Sequence, residues 1–273
     1  MTILLTGATG LFGERLLPRL LAAGHDCRAL VRGGKTVPVG AEPVDGDLFD
    51  AAALASALAG ISAVIHLAAV FRTSDEALIW KSNRDGVRRL ISAVESHAPK
   101  ARVILASTSN VYAKDQARPG REDDPVNPSQ AYPASKVAAE QALRESGLTW
   151  SVVRFPFVYG DGDGHLAALP GHAAGANWHP AMRMSTIHHR DIATAMVLAL
   201  DGRFDGRVVN VADDLPASML DLIALGGGTM NASAEPLATP CAAGRHGTRA
   251  PSGLRPHRED GLPGRSRRPS LNH

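Results

Sequence analysis

Residues Thr6-Gly7-Ala8-Thr9-Gly10-Leu11-Phe12-Gly13 constrain the fold more than any other stretch of this chain. They follow the apolar run Ile3, Leu4, Leu5 and precede Leu16, Leu17, Leu20 and Leu21 at helical spacing. The order is strand, tight turn, then a helix beginning near Leu11. In that setting each glycine has its own task. Gly7 permits the sharp exit from the strand. Gly10 leaves backbone N–H groups bare for a pyrophosphate. Gly13 allows close helix packing, with the helix N-terminus facing the anion. The spacing is G-x-x-G-x-x-G, not G-x-G-x-x-G. A glycine-rich turn that binds nothing is the alternative, and the flanking strand and helix weigh against it.

The rest of the chain continues the alternation. Strands are expected at Ile3–Thr6, Cys27–Val31, Ala63–Leu67, Val103–Ser107, Ser151–Arg154 and Val208–Val211. Helices are expected near 11–23, 50–58, 75–97, 133–146 and 189–201. This pattern predicts an α/β fold, a Rossmann-type doubly wound parallel sheet covered on both faces. Residues 157–186, rich in Gly, His and Pro, break the alternation. They are expected to form a small lobe over the carboxyl ends of the strands, where ligands bind. The expected organisation is a dinucleotide-binding domain at 1–156, the lobe at 157–186, a return to the core at 187–225 and a low-order tail at 226–273.

At 273 residues the chain can bury one large core. Two cysteines, Cys27 and Cys241, imply no disulfide framework. Met1 leads straight into the first strand without a signal-like segment, and no apolar run is long enough for a membrane. A cytoplasmic setting is expected, with no membrane partner. The net charge of +2 conceals a division. Residues 240–273 hold seven Arg against Glu259 and Asp260, which leaves 22 basic and 25 acidic residues in the rest. The folded part is mildly acidic, so no nucleic-acid partner is implied. Beyond Val211 valine is absent, and from Pro240 the only sizeable aliphatics are Leu254, Leu262 and Leu271. Such a segment cannot bury enough surface to order itself. It reads as a disordered basic tail or as the product of a shifted reading frame.

Tyr132 and Lys136 are four apart in Tyr-Pro-Ala-Ser-Lys, at a helix start that tolerates Pro133. A cation beside the phenol is expected to lower its pKa and let it exchange a proton with a carbonyl or alcohol. Alone, the pair is an ordinary motif of amphipathic helices. It is joined here by Ser107, Thr108 and Ser109 at the carboxyl end of a central strand. One of these hydroxyls can bond a reacting oxygen; local turn capping is their other use. His165, His172, His179, His188 and His189 lack a metal-ligand spacing, so no metal is expected.

Taken together, these motifs resemble the extended short-chain dehydrogenase/reductase family, the NAD(P)-dependent epimerase/dehydratase group. The resemblance covers roughly residues 1–212. It runs through Thr-Gly-Ala-Thr-Gly-Leu-Phe-Gly at 6–13, Gly-Asp-Leu at 46–48, His-Leu-Ala-Ala at 66–69, Asn83, Ser-Thr-Ser-Asn-Val-Tyr at 107–112, Tyr-Pro-Ala-Ser-Lys at 132–136 and Arg-Phe-Pro-Phe-Val-Tyr-Gly at 154–160. It implies Thr108 as the catalytic hydroxyl, Tyr132 as the acid/base, Lys136 on the nicotinamide ribose and Asn83 near the reacting centre. It places Asp47 and Leu48 beside adenine, and Leu67, Ala68 and Ala69 along the cofactor. It places Thr9, Leu11 and Phe12 with the three glycines, and Phe155 and Pro156 at the nicotinamide. A homodimer is implied by resemblance alone.

The second strand ends Ala29-Leu30-Val31-Arg32, with Lys35 close behind and no acid until Glu42. An acid there bonds a ribose 2′-OH, whereas an Arg accommodates a 2′-phosphate. NADP(H) is therefore favoured, with NAD(H) as the alternative. The expected activity is hydride transfer at a carbonyl or alcohol carbon of a small molecule. A nucleotide-sugar epimerase or dehydratase without net cofactor turnover would use the same residues. A non-catalytic dinucleotide-binding protein is the reading from another class. Nucleotide-sugar members need cations for the diphosphate, and Arg183 is the only Arg of the lobe.

Overall fold

A computed structural model describes residues 1–113 and 118–230 of the chain. The elements run β1 (Thr2–Thr6), α1 (Gly13–Ala22), β2 (Asp26–Val31), β3 (Ala41–Asp45), α2 (Ala51–Leu58), β4 (Ala63–His66), α3 (Glu76–Trp80), α4 (Gly86–His97), β5 (Arg102–Thr108), α5 (Ala131–Arg144) and β6 (Thr149–Phe155). They continue with β7 (Phe157–Tyr159), α6 (His165–Gly175), β8 (Arg183–Met184), β9 (Thr186–His188), α7 (His189–Leu200), β10 (Arg207–Asn210), β11 (Ala217–Ser218) and α8 (Met219–Leu225).

Seven strands form one parallel sheet in the order β3-β2-β1-β4-β5-β6-β10. The fold is the doubly wound Rossmann arrangement that the alternation predicts. Side-chain period decides its layers. Ile3 and Leu5 of β1 face one core with Leu16, Leu17 and Leu20 of α1 and Ile192 and Met196 of α7. Leu4 faces the opposite core with Leu54 and Leu58 of α2, Leu90 and Val94 of α4 and Leu143 of α5. Each fully buried Leu contributes roughly 1.5–3 kcal/mol of apolar transfer energy. The chain winds outward in both directions from the β1–β4 pair, and that reversal opens a crevice at the strands' carboxyl ends.

Two elements differ from the sequence expectation. β3 is an additional edge strand, in register with β2 from Cys27↔Ala41 to Val31↔Asp45. Its Glu42, Pro43 and Asp45 show no apolar alternation, and an edge position tolerates Pro. The single helix expected at 75–97 is instead α3 and α4 joined by a π-helical turn at Lys81–Asp85. Such turns widen a helix locally and re-aim a side chain; here that side chain is Asn83.

Residues from 157 onward build the smaller lobe, whose core is Leu169, Ala173, Met182, Met219, Leu222 and Ile223. The packing therefore groups β11 and α8 with the lobe, whereas the sequence reading attached 187–225 to the sheet as one piece. The basic tail and its two readings fall on residues 231–273, outside the described residues. Among the described residues no helix is long and apolar enough to cross a membrane.

Candidate active site

The floor of the crevice is the glycine turn. Gly7 has φ +77°, and a β-carbon there would sit 2.6 Å from the Ala68 amide nitrogen. The turn thus presses on the end of β4, which only a bare backbone permits. A β-carbon on Gly13 would lie 2.2 Å from the Gly7 carbonyl oxygen, so α1 starts directly against its own turn. Gly13 serves this contact rather than the helix-to-sheet packing expected of it. A β-carbon on Gly10 would meet only the Gly7 oxygen, at 3.3 Å, leaving its other side open.

One cleft of about 750 Å³ runs from this turn to the lobe. Its wall holds Gly7, Thr9, Gly10, Leu11, Phe12 and Gly13 from the turn, and Arg32 from the end of β2. Asp47 and Leu48 follow β3, and Leu67, Ala68 and Ala69 follow β4. Thr108, Tyr132, Lys136, Phe155 and Pro156 complete the predicted set. The bare turn, the helix N-terminus and the cations at one end fit a dinucleotide.

Asn83 departs from this pattern. It is 1 % exposed and not part of the cleft wall. Its carbonyl accepts from the Val70 N–H at 2.8 Å; its amide donates to the Val70 carbonyl at 2.8 Å and to the Ser135 hydroxyl at 3.0 Å. The Ser135 hydroxyl donates in turn to the Tyr132 carbonyl at 2.7 Å. Asn83 is a bracket between the loop after β4 and the first turn of α5. It is not a group that touches a substrate, which corrects the catalytic role expected for it.

Tyr132, Lys136 and Glu140 repeat at four-residue spacing along α5. Lys136 is 2 % exposed; burial pushes its ammonium down to about 8, while the Glu140 carboxylate pulls the other way. Glu140 is held by buried Arg154 of β6, with Nε donating to Oε1 at 3.0 Å, and it accepts from the Ser107 hydroxyl. Arg154 also donates to the Tyr112 hydroxyl at 2.8 Å. This pairing fixes the height of α5 over the sheet. Thr108 accepts from the Asn110 N–H at 3.1 Å, which uses its oxygen and not its proton. The sequence predicts that Lys136 lowers the Tyr132 phenol. The structure reverses the direction: burial pushes the phenol up to about 12.

Beneath the turn, buried His66 shares a 2.7 Å hydrogen bond with the Thr6 hydroxyl. Burial, with the Lys136 charge adding to it, pushes its imidazole down to about 3, so it is neutral in the fold.

At the opposite end Arg32 and Lys35 are exposed and line the cleft. Asp45 pairs with Val31 across β2 and β3, an acid close in space that the sequence reading did not find. Its carboxylate accepts from the Gly34 N–H at 3.0 Å and lies outside the wall. Asp47 accepts from the Phe49 N–H at 2.7 Å and shapes its own turn.

The sequence reading missed the wall residues Val70, Phe71 and Arg72, and from the lobe Phe157, Trp178 and Met184. The first three carried a usable signal, since they follow a strand's carboxyl end. Arg183 is exposed and outside the wall. His188 accepts from the Arg190 N–H at 3.1 Å and so caps α7, while His189 pairs with Asp163 at 2.9 Å.

Comparison with known proteins agrees with this architecture. Residues 3–212 match the model of the NAD dependent epimerase/dehydratase family. The 4-hydroxy-2-methyl-3-oxo-4-farnesyl-3,4-dihydroquinoline-1-oxide ketoreductase of Stigmatella aurantiaca is 30% identical over 245 residues, covering 82% of this chain and 72% of that protein. The ceramide reductase of Caulobacter vibrioides is 32% identical over 203 residues, covering 71% of this chain and 59% of that protein. The structure of MoeE5 in complex with UDP-glucose and NAD superposes with a TM-score of 0.71 at 26% identity, covering 83% of this chain and 81% of MoeE5. The glycine cradle, the parallel sheet and these matches lead to one conclusion: the chain belongs to the NAD dependent epimerase/dehydratase family of NAD(P)-dependent enzymes.

Proposed function

We propose that this chain reduces the carbonyl of a small molecule, using NADPH in preference to NADH. The observation that carries the reading is convergence: Thr108 from β5 and Tyr132 and Lys136 from α5 share one cleft wall with the glycine turn. A bound dinucleotide would supply the hydride to the carbonyl carbon. Tyr132 gives its proton to the carbonyl oxygen, which completes the alcohol and leaves a phenolate. A phenol held up at about 12 is fully protonated at neutral pH, the form that a reduction requires. Thr108 offers its hydroxyl proton to the same oxygen. Lys136 holds the ribose and balances the phenolate charge as it forms. Asn83 acts as a positioning residue by fixing the start of α5. Arg32 and Lys35 take the 2′-phosphate, and their being the cations at that end supports NADPH.

A second reading, an epimerase or dehydratase that returns its cofactor unchanged, is favoured by the likeness to MoeE5, which binds UDP-glucose and NAD. Following NADPH absorbance against alcohol formed separates the two. Equal consumption and product support the reductase; product without net consumption overturns it. Tyr132→Phe is expected to lower turnover by about 100- to 10,000-fold with dinucleotide affinity unchanged. Retained turnover in that variant removes Tyr132 from the proton transfer.

A further inference from the structure

The substrate half of the cleft has a chemistry of its own. Its lobe side is formed by Phe157, Val158, Trp178 and Met184, and its loop side by Val70 and Phe71. Phe157, Trp178 and Met184 also pack on the lobe core, so the cleft face here is a core surface left open on one side. Phe71 is 51% exposed, and its ring lies 5.5 Å from that of Tyr132. A hydrocarbon wall thus begins at the proton donor itself.

Charge points the same way. Arg and Lys in the described cleft wall are four: Arg32 and Lys35 at the far end, Lys136 beside Tyr132, and Arg72. Arg72 is already engaged, with Nη2 2.6 Å from the His165 ring nitrogen Nε2 and its guanidinium 5.0 Å from the centre of the Phe71 ring. His165 is anchored in turn through Nδ1, 2.8 Å from the Val158 carbonyl. A nucleoside diphosphate placed here would bring two negative charges against Phe, Val, Trp and Met with no uncommitted guanidinium. Burying charge without a partner is strongly unfavourable. An uncharged hydrocarbon gains from the same wall.

On the reading of the cleft as a carbonyl-reducing site, we propose that its substrate is an uncharged, largely hydrocarbon ketone or secondary alcohol. Its apolar body lies between Phe71 and the Phe157–Trp178–Met184 wall, with its oxygen at Tyr132 and Thr108. A sugar nucleotide is excluded from this half for want of cations.

The test is a binding titration on the full chain, holding oxidised NADP so that a ketone cannot turn over. Methyl nonyl ketone and UDP-glucose are the two probes, read by Trp178 fluorescence, with Trp178→Phe as the optical control. The expected result is saturable quenching by methyl nonyl ketone and none by UDP-glucose at equal concentration. Met184→Lys is expected to weaken ketone binding by about tenfold or more. Phe71→Ala, at an exposed loop position that leaves the lobe core intact, is expected to weaken it about threefold. UDP-glucose binding more tightly than the ketone overturns the proposal. So does silence from both probes on a protein that binds NADP, a result that spares the cofactor reading. Failure to bind NADP at all overturns that reading and this proposal with it.

Discussion

The two halves of the cleft are built by opposite means. The dinucleotide half is bare backbone: Gly7 against Ala68, and Gly13 against the turn that precedes it. The substrate half is side chain: Phe71, Phe157, Trp178 and Met184 standing around an open space. Backbone atoms in a turn tied to β1 and α1 have nowhere to go, whereas a side-chain wall repacks when one member changes size. One half is therefore committed to a single class of ligand. The other can be retuned without touching the cradle.

The largest break in this comparison is a single methyl group in the floor. Gly13→Ala places a β-carbon 2.2 Å from the Gly7 oxygen and 2.6 Å from the Ala8 Cα, both backbone. It is expected to destabilise the fold by about 2–3 kcal/mol and to weaken dinucleotide binding by about 100-fold. Chemical denaturation and a dinucleotide titration check the two numbers. An unchanged affinity would remove the glycine turn from the binding site.

Next in size is an acid sensitivity confined to the dinucleotide half. His66 is neutral in the fold with a pKa of about 3, against a model value of 6.5. The unfolded chain takes up the proton first as pH falls. Stability is therefore complete above about pH 6.5 and is lost progressively down to about pH 3. By pH 5 this group alone is expected to cost about 2 kcal/mol. Denaturation midpoints at pH 7 and pH 5, for wild type and His66→Asn, measure the effect. An equal loss in both proteins would show that His66 is not its source.

The smallest expected effect lies in the lobe and has the opposite sign. Gly171 sits inside α6, and a β-carbon there meets nothing within 4 Å. Gly171→Ala should stabilise the chain by about 0.5–1 kcal/mol and leave cofactor binding alone. A thermal midpoint that falls instead would mean that α6 is more crowded than the structure has it.

The same contrast governs what could be read from the residues. The cradle was legible because its glycines fall at fixed places between an apolar strand and an apolar helix. Tyr132 and Lys136 were legible because four-residue spacing puts them on one helix face. β3 was not, since an edge strand with Glu42, Pro43 and Asp45 carries no alternating signal. The π-helical turn that buries Asn83 was hidden too, because a helical period does not reveal one widened turn. Arg32 was readable as a cation at the end of β2, but the Asp45 beside it required the register of β3. The substrate wall was the least legible part. Phe157, Trp178 and Met184 are the residue types of any core, and only the fold shows that one of their faces borders the cleft. The direction of the Tyr132 shift also needed the structure, because burial and not its neighbour decides it.

The central claim is that the crevice above β1 and β4 is a dinucleotide site whose far end selects the 2′-phosphate. Titrating the full chain with NADPH and NADH, followed by nicotinamide fluorescence, tests it most directly. The account predicts saturable binding of NADPH, about tenfold tighter than NADH. Absence of binding by either nucleotide, on protein shown to be folded, would contradict it.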